Sequence, residues 1–293
     1  LERLLWPGLA LLLYATFTQV PFDQLPAAFK DGAFISAALL GNFVVLPVLV
    51  LGVVALAPGD PAIRLGLLLV LLVPCTDWFI TFAHQAGGDL RRAITITPVL
   101  LIAQMLLLPL YLWLFMGKAF MEVVSAGRMI TVFMVVLVLP LILAWLTERW
   151  VKGDASRSVL TTKLGGLPIP LLALVLFLIS ASQVEAVRES LAAMGSVFLA
   201  CLVFLVGATI CGLIIGRVFR LPVPQARTLV FTLTTRNSFV VLPFALALPG
   251  TLGMASITII FQSLIELFGM LVLLWLIPNK LLPSNRSVKE HRG

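Results

Sequence analysis

The fold is decided by a stretch at residues 64–89, which reads RLGLLLVLLVPCTDWFITFAHQAGGD. The stretch is long and apolar enough for a membrane helix, since about 20 residues cross a hydrocarbon layer of about 30 Å. Near its middle it is interrupted by Pro74, which is followed by Cys75, Thr76 and Asp77. Proline removes a backbone donor and clashes with the preceding turn, so the sequence predicts a membrane helix that breaks here.

A second stretch, at residues 227–250, has the same design and reads RTLVFTLTTRNSFVVLPFALALPG. Its middle is polar and contains Thr232, Thr234, Thr235, Arg236, Asn237 and Ser238. When the chain is shifted by 163 residues, Asn237 falls opposite Pro74 and Ser238 falls opposite Cys75. We therefore expect two broken helices that cross near the membrane midplane, where inverted-repeat transporters bind their solutes.

The rest of the chain shows the same duplication. The triplet Ile-Thr-Ile at residues 94–96 recurs at 257–259, again with an offset of 163. Since five predicted helices separate matching helices, the two halves have opposite topologies and form an inverted repeat. We assign residues 1–128 to the first repeat and 129–293 to the second, within one integral membrane domain.

The composition predicts an all-α polytopic membrane protein. Apolar residues make up 61% of the chain and charged residues 11%, with a mean hydropathy of +1.13. The predicted spans lie at about 4–22, 32–57, 63–86, 93–117, 129–147, 165–184, 193–216, 227–248 and 253–277. The span at 129–147, moved back by 163, would precede residue 1. We therefore expect that the first helix of the first repeat is missing from this sequence.

The basic residues predict the orientation in the membrane. The net charge is +7 and the isoelectric point is about 9.8, which we attribute to loops that face anionic lipid and not to nucleic-acid binding. Fourteen basic residues fall in loops on one side of the predicted spans and five on the other. The positive-inside rule places the richer side, with the C-terminus, in the cytoplasm. We expect a multi-pass protein of the plasma membrane, which in bacteria is the inner membrane.

Three charged residues fall in the interior of predicted spans, away from the span ends, where each costs about 2.5–3.5 kcal/mol on insertion scales. We expect Asp77 and Arg236 to form a charge pair at the crossing. Such a pair either takes part in transport, with one member titrating or opening to substrate, or locks the two helices together. Glu266 either carries a proton or is held neutral by hydrogen bonds.

The cysteines form no disulfide pattern. Cys201 and Cys211 lie among apolar residues and are interpreted as core packing, whereas Cys75 has polar neighbours. A thiol at that position is either a packing group or a ligand for a soft metalloid. The sequence has no nucleotide loop, metal-ligand cluster or nucleophile–base motif, so we expect neither an enzyme nor a cofactor or resident metal.

Several of these motifs resemble the arsenite-efflux permeases of the bile acid/sodium symporter superfamily. Residues 64–89 are similar to the fourth helix of those proteins in the Arg-x-Gly-Leu opening, the mid-helix Cys and the Gly-Asp ending. The segment VFTLTTRNSF, with Asn237, resembles the ninth helix, and SLIEL, with Glu266, resembles the tenth.

The resemblance implies ten helices, in a panel subdomain and a core subdomain that are interleaved along the chain, with the two broken helices crossing in the core. It also implies export of arsenite by alternating access, driven by inward proton flow, with roles for Cys75, Asn237 and Glu266. Three positions depart from the family pattern. Phe239 stands where the family has a carboxylate, and Asp77 and Arg236 are not expected there.

The leading hypothesis is therefore an arsenite exporter. Cys75 binds the uncharged trihydroxide, Thr76, Asn237 and Ser238 supply hydrogen bonds, and Asp77 or Glu266 carries the proton.

The alternative is sodium-coupled uptake of a small organic anion. In that case Asp77, Thr76 and Asn237 are ligands of sodium and Arg236 holds the carboxylate of the substrate. A receptor or scaffold without transport activity is a further alternative, but it does not require the paired breaks.

Overall fold

The chain is predominantly helical in the residues that its computed structural model describes. Those residues are 2–20, 22, 31–123, 131, 133–152, 164, 166–167, 170, 191–246 and 252–283. The helices are α1 (Glu2–Phe17), α2 (Gly32–Ala55), α3 (Pro61–Leu71), α4 (Trp78–Gln85), α5 (Leu90–Val123), α6 (Leu139–Lys152), α7 (Leu191–Val218), α8 (Val223–Thr234), α9 (Ser238–Leu246) and α10 (Met254–Leu276).

Five helices are long and apolar enough to cross a membrane. They occupy Gly32–Ala55, Leu90–Phe115, Met134–Val151, Met194–Val218 and Met254–Leu281. Each lies close to one of the predicted spans, and large apolar side chains on them face outward, such as Leu106, which is 73% exposed, and Phe268, which is 67% exposed. The prediction of an all-α polytopic membrane protein is confirmed.

The predicted spans at 63–86 and 227–248 are the broken helices. The first consists of α3 and α4, separated at residues 72–77, and the second consists of α8 and α9, separated at residues 235–237. The span predicted at 4–22 corresponds to α1, which ends at residue 17. The span predicted at 165–184 lies almost entirely outside the described residues.

Local sequence signals explain where the first broken helix begins and ends. At its start, the Asp60 carboxylate accepts a hydrogen bond from Ala62 N at 2.7 Å, and Pro61 occupies the first helical position. At its far end, Gly87 has a φ of +69° and Gly88 N donates to Ala83 O at 2.7 Å. This is a Schellman ending, in which glycine tolerates the left-handed conformation.

A widened turn in α2 prepares one side chain for the site. The turn Gly41–Val45 is π-helical and precedes Pro47, which has no N–H to donate to Phe43 O. The hydroxyl of Tyr111 supplies the missing donor, with Oη 2.5 Å from Phe43 O. The same turn carries Asn42, which is fully buried and faces the second broken helix.

The remaining helices enclose the broken pair. Helix α3 packs along α10, and α8 packs along α7, which also contacts α2 and α10. A Cβ atom added to Gly66 would lie 2.6 Å from Ala255 O, so α3 and α10 approach at backbone distance. Helix α1 packs mainly against α6. This arrangement encloses the two breaks between apolar helices.

The helix bounds also follow the offset of 163 residues. Shifted by that amount, the last residues of α2 and α3 coincide with residues 218 and 234, where α7 and α8 end. The division into repeats at 1–128 and 129–293 stays a prediction.

Candidate functional site

The two broken helices are joined by backbone hydrogen bonds at their breaks. Cys75 N donates to Thr235 O at 3.2 Å, and Asn237 N donates to Val73 O at 2.9 Å. These bonds pair the two breaks in an antiparallel bridge. Backbone groups freed inside a membrane must find partners within the protein, and here each break provides partners for the other.

Arg236 lies at the centre of the crossing and is 3% exposed. Among the described residues its guanidinium donates only to uncharged oxygen atoms, at 2.6–3.3 Å: Leu71 O, Thr232 O, Leu233 O and Asn42 Oδ1. The ring of Phe204 lies 5.4 Å from Cζ, within the range of a cation–π contact. The positive charge is therefore held by dipoles and an aromatic ring.

The predicted ion pair between Asp77 and Arg236 does not form. Within the described part of the chain, Asp77 has no ion pair with Arg236. Asp77 instead caps α4, where its Oδ1 accepts from Trp78 N at 2.9 Å, and the Cys75 thiol donates to the same atom at 3.0 Å. The reason is electrostatic, because an acid is favoured at the N-terminus of α4 and a cation at the C-terminal ends of α3 and α8.

Thr76 and Asn237 bind each other across the crossing. Asn237 Nδ2 donates to Thr76 Oγ1 at 3.0 Å, and Asn237 Oδ1 accepts from Val240 N at 3.2 Å. The second bond caps α9. Neither residue lies on the wall of the adjacent cavity, so both stabilise the crossing from behind that wall.

A cavity of about 150 Å³ lies beside the crossing. Its wall combines polar groups from α9, α10 and the first break with aromatic and aliphatic side chains: Cys75, Trp78, Phe82, Arg236, Ser238, Phe239, Ser263, Leu264, Glu266, Leu267 and Met270. Cys75, Arg236, Ser238 and Glu266 are thus the predicted site residues that the cavity brings together.

Glu266 is linked to the second break and keeps one oxygen uncommitted. Its Oε2 accepts from Arg236 N at 3.0 Å and from Gln262 Nε2 at 2.7 Å. Its Oε1 accepts no hydrogen bond from the described residues, and the side chain is partly exposed at the cavity wall. A carboxylate held in this way has a free position for a proton or a donor of the solute.

The wall also contains residues that the sequence analysis did not single out. Ser263 Oγ lies 2.6 Å from Ser238 Oγ and 2.8 Å from Ile259 O. Its position three residues before Glu266, on the same helix face, is a signal that was available in the sequence. Trp78 pairs with Phe239, which the sequence analysis noted only as a departure from the family pattern, and the ring centroids are 5.3 Å apart. Phe82 and Met270 had no signal, because apolar residues are common in every span.

The other cysteines lie elsewhere. Cys201 and Cys211 belong to α7 and do not line the cavity. In the residues with a described position, no group of three or more His, Cys, Asp or Glu side chains is arranged to hold a metal ion. The polar groups on the cavity wall are one thiol, two hydroxyls, one carboxylate and Arg236, which suits a small polar solute.

Membrane-spanning helices, two broken helices that cross inside them and a polar cavity beside the crossing define a polytopic membrane transporter. The chain matches the sequence model of the Sodium Bile acid symporter family over residues 6–190, and it belongs to that family. No curated protein matches the chain significantly. The chain is accordingly a transporter of a small solute and not an enzyme.

Proposed function

We propose that this transporter exports arsenite from the cytoplasm in exchange for protons. The observation that supports the proposal is the position of the Cys75 thiol, which lies on the cavity wall with Ser238, Ser263 and Glu266. Arsenite near neutral pH is mainly an uncharged trihydroxide. A site that selects by charge would not recognise this uncharged solute, whereas a soft thiol surrounded by hydrogen-bonding groups does.

The thiol is oriented by the broken helix that carries it. Cys75 donates to Asp77 Oδ1 at 3.0 Å, which fixes the direction of the Sγ–H bond. Exchange of one hydroxide of the solute for this thiol forms an As–S bond, and the displaced hydroxide leaves as water with the thiol proton. The remaining hydroxyls are within the reach of the serine pair and the Glu266 carboxylate on the same wall.

The coupling proton is assigned to Glu266. This carboxylate lies on the cavity wall and accepts a hydrogen bond from Arg236 N at the second break. Its protonation therefore changes a hydrogen bond at the crossing. A proton bound from the outside and released to the cytoplasm would exchange with arsenite at one cavity. Asp77 is less suited to this role, since it does not line the cavity and its Oδ1 caps α4.

The geometry disfavours the alternative of organic-anion uptake. That hypothesis needs the Arg236 guanidinium to bind a carboxylate, yet the guanidinium already donates to four oxygen atoms behind the cavity. Of the two charged side chains on the cavity wall, Arg236 is committed to these oxygens, and Glu266 as a carboxylate repels an anion. Export into the surroundings agrees with our assignment to the plasma membrane, in bacteria the inner membrane, with the C-terminus in the cytoplasm.

The test is arsenite accumulation in arsenite-sensitive cells. Cells that express the protein should accumulate less arsenite than cells with an empty vector, and Cys75→Ala should abolish the difference. The matched control is Cys201→Ala, because Cys201 is also buried but lies off the cavity. It should export normally. Equal accumulation in wild-type and empty cells, with the protein confirmed in the membrane, contradicts arsenite export.

A further inference from the structure

The break in each helix removes a particular set of backbone hydrogen bonds. In an uninterrupted helix the N–H of residue i+4 donates to the carbonyl of residue i. Cys75 N would thus donate to Leu71 O, but it donates to Thr235 O instead. Two carbonyls of α8 lose their helical donors in the same way. Arg236 N, which would serve Thr232 O, donates to Glu266 instead.

The third such carbonyl is that of Leu233. Its helical donor would be Asn237 N, which donates to Val73 O across the crossing. These three carbonyl oxygens therefore lack their helical partners at the two breaks. They belong to the last turns of α3 and α8, where the negative ends of the helix dipoles are found.

The Arg236 guanidinium binds these same three oxygens. Nη1 donates to Leu71 O at 3.3 Å, and Nη2 donates to Thr232 O at 3.0 Å and to Leu233 O at 2.6 Å. A fourth oxygen, Asn42 Oδ1 from α2, lies 3.0 Å from Nη2. Every oxygen on this list is uncharged, and none of the carboxylates that the structure describes pairs with the guanidinium.

Carbonyls at unwound segments and at half-helix C-termini are the groups that bind sodium in transporters with broken helices. The name of the family implies sodium, so this crossing is where the ion would be expected. The residues do not fit it, because their free oxygens are already bound to a positively charged side chain that is 3% exposed. A sodium ion at this position would have to displace the guanidinium from these oxygens.

We infer that Arg236 is a built-in cation of the crossing, which takes the oxygen atoms that an exchangeable sodium ion would need. Transport by this chain is accordingly independent of sodium, and the guanidinium compensates the helix dipoles permanently. The inference adds to the proposed function, and its consequence for the coupling ion rests on that proposal. Its tests contain no arsenite, so a failure of arsenite export leaves them unaffected.

The first test uses the wild-type protein, purified in detergent, and follows its thermal unfolding by tryptophan fluorescence. Sodium, potassium and choline chloride are compared at equal ionic strength. The expected result is the same midpoint in all three salts. A saturable rise of the midpoint with sodium alone overturns the inference, and this arm requires no variant.

The second test removes the guanidinium and leaves the three carbonyls without a donor. Arg236→Ala should lower the midpoint by roughly 5 °C or more, because three carbonyls lose their donors. Millimolar guanidinium should recover most of this loss, whereas urea, which has a similar shape and no charge, should not. Recovery with both compounds, or with neither, overturns the inference.

Two further variants control this result. Arg217→Ala removes an exposed arginine from the last turn of α7, and its midpoint should respond to neither guanidinium nor urea. If Arg236→Ala cannot be purified, Arg236→Lys keeps a charge near the same oxygens. Its midpoint should be the same in sodium and potassium, and a sodium-specific rise would count against a built-in cation.

Discussion

The two faces of the crossing differ in how their polar groups are hydrogen-bonded. On the face towards α2, Asn42 and the two Nη atoms of Arg236 are bound to each other and to helix carbonyls, and of the guanidinium nitrogens Nε alone has no partner among the described residues. On the face towards the cavity, Cys75 and Glu266 retain capacity for a partner outside the protein. A buried polar group whose bonds are all made within the protein contributes to structure, and one with a free position beside a cavity is available for binding. The two faces therefore differ more in whether their polar groups have free hydrogen-bonding positions than in the types of residue that they contain.

The largest effect is expected from a substitution on the cavity face of the crossing. Glu266→Gln retains an oxygen that accepts from Arg236 N, but it cannot bind and release a proton at pH 7. In inside-out vesicles with an acidic interior, the wild-type protein should accumulate arsenite and the variant should lose essentially all of this gradient-driven uptake. Thermal unfolding should change little, because the fold keeps its contacts.

The control for this experiment is Glu148→Gln on α6, which lies outside the cavity. It should transport at the wild-type rate. If Glu266→Gln accumulates arsenite as fast as the wild type under the same gradient, the proton is carried elsewhere and the assignment of the two faces is wrong.

A smaller effect is expected on the structural face. Asn42→Leu keeps the side-chain size but removes the acceptor of Arg236 Nη2 and the donor to Thr232 Oγ1, which lies 3.3 Å away. The loss should lower the free energy of unfolding by about 2 kcal/mol, since buried groups are left without partners. Asn279→Leu, at an exposed position, should change it by less than about 0.5 kcal/mol. Equal effects in unfolding experiments would contradict the role given to Asn42.

The smallest effect concerns a second buried amide. Gln104 on α5 is 1% exposed, and neither its Nε2 nor its Oε1 has a hydrogen-bond partner in the described structure. Replacing an unsatisfied buried amide by an apolar side chain of similar size removes a desolvation cost. Gln104→Leu should therefore be neutral or stabilising by up to about 1 kcal/mol in the same unfolding measurement. A clear loss of stability or of transport would show that Gln104 has a partner.

The sequence predicted most of the helices, because the signal for a membrane span is a run of apolar residues along the chain. Runs of apolar residues of sufficient length predict spans, and this held for α2, α5, α7 and α10 to within a few residues. The two breaks were also predictable, since Pro74 and the polar run around Arg236 are local features. The fold class required no knowledge of side-chain contacts.

The candidate site was predicted only in part. Cys75, Ser238 and Glu266 were singled out and share a cavity, because polar groups inside apolar spans are conspicuous. The partner of Arg236 was predicted incorrectly. Opposite charges on two crossing helices suggested an ion pair with Asp77, but the directions of the helix termini send the two side chains to different places. Thr76 and Asn237 bind each other behind the cavity wall, and their contact with a substrate stays a prediction.

By itself, the sequence determined that this chain is a helical membrane protein with two interrupted helices and an internal offset of 163 residues. These properties depend on composition, span length and the missing N–H of proline. The tertiary structure alone decided which polar groups have free positions. Whether a guanidinium meets a carboxylate or three orphaned carbonyls depends on the register of one break against the other, a register set by two backbone hydrogen bonds between residues 160 positions apart or more.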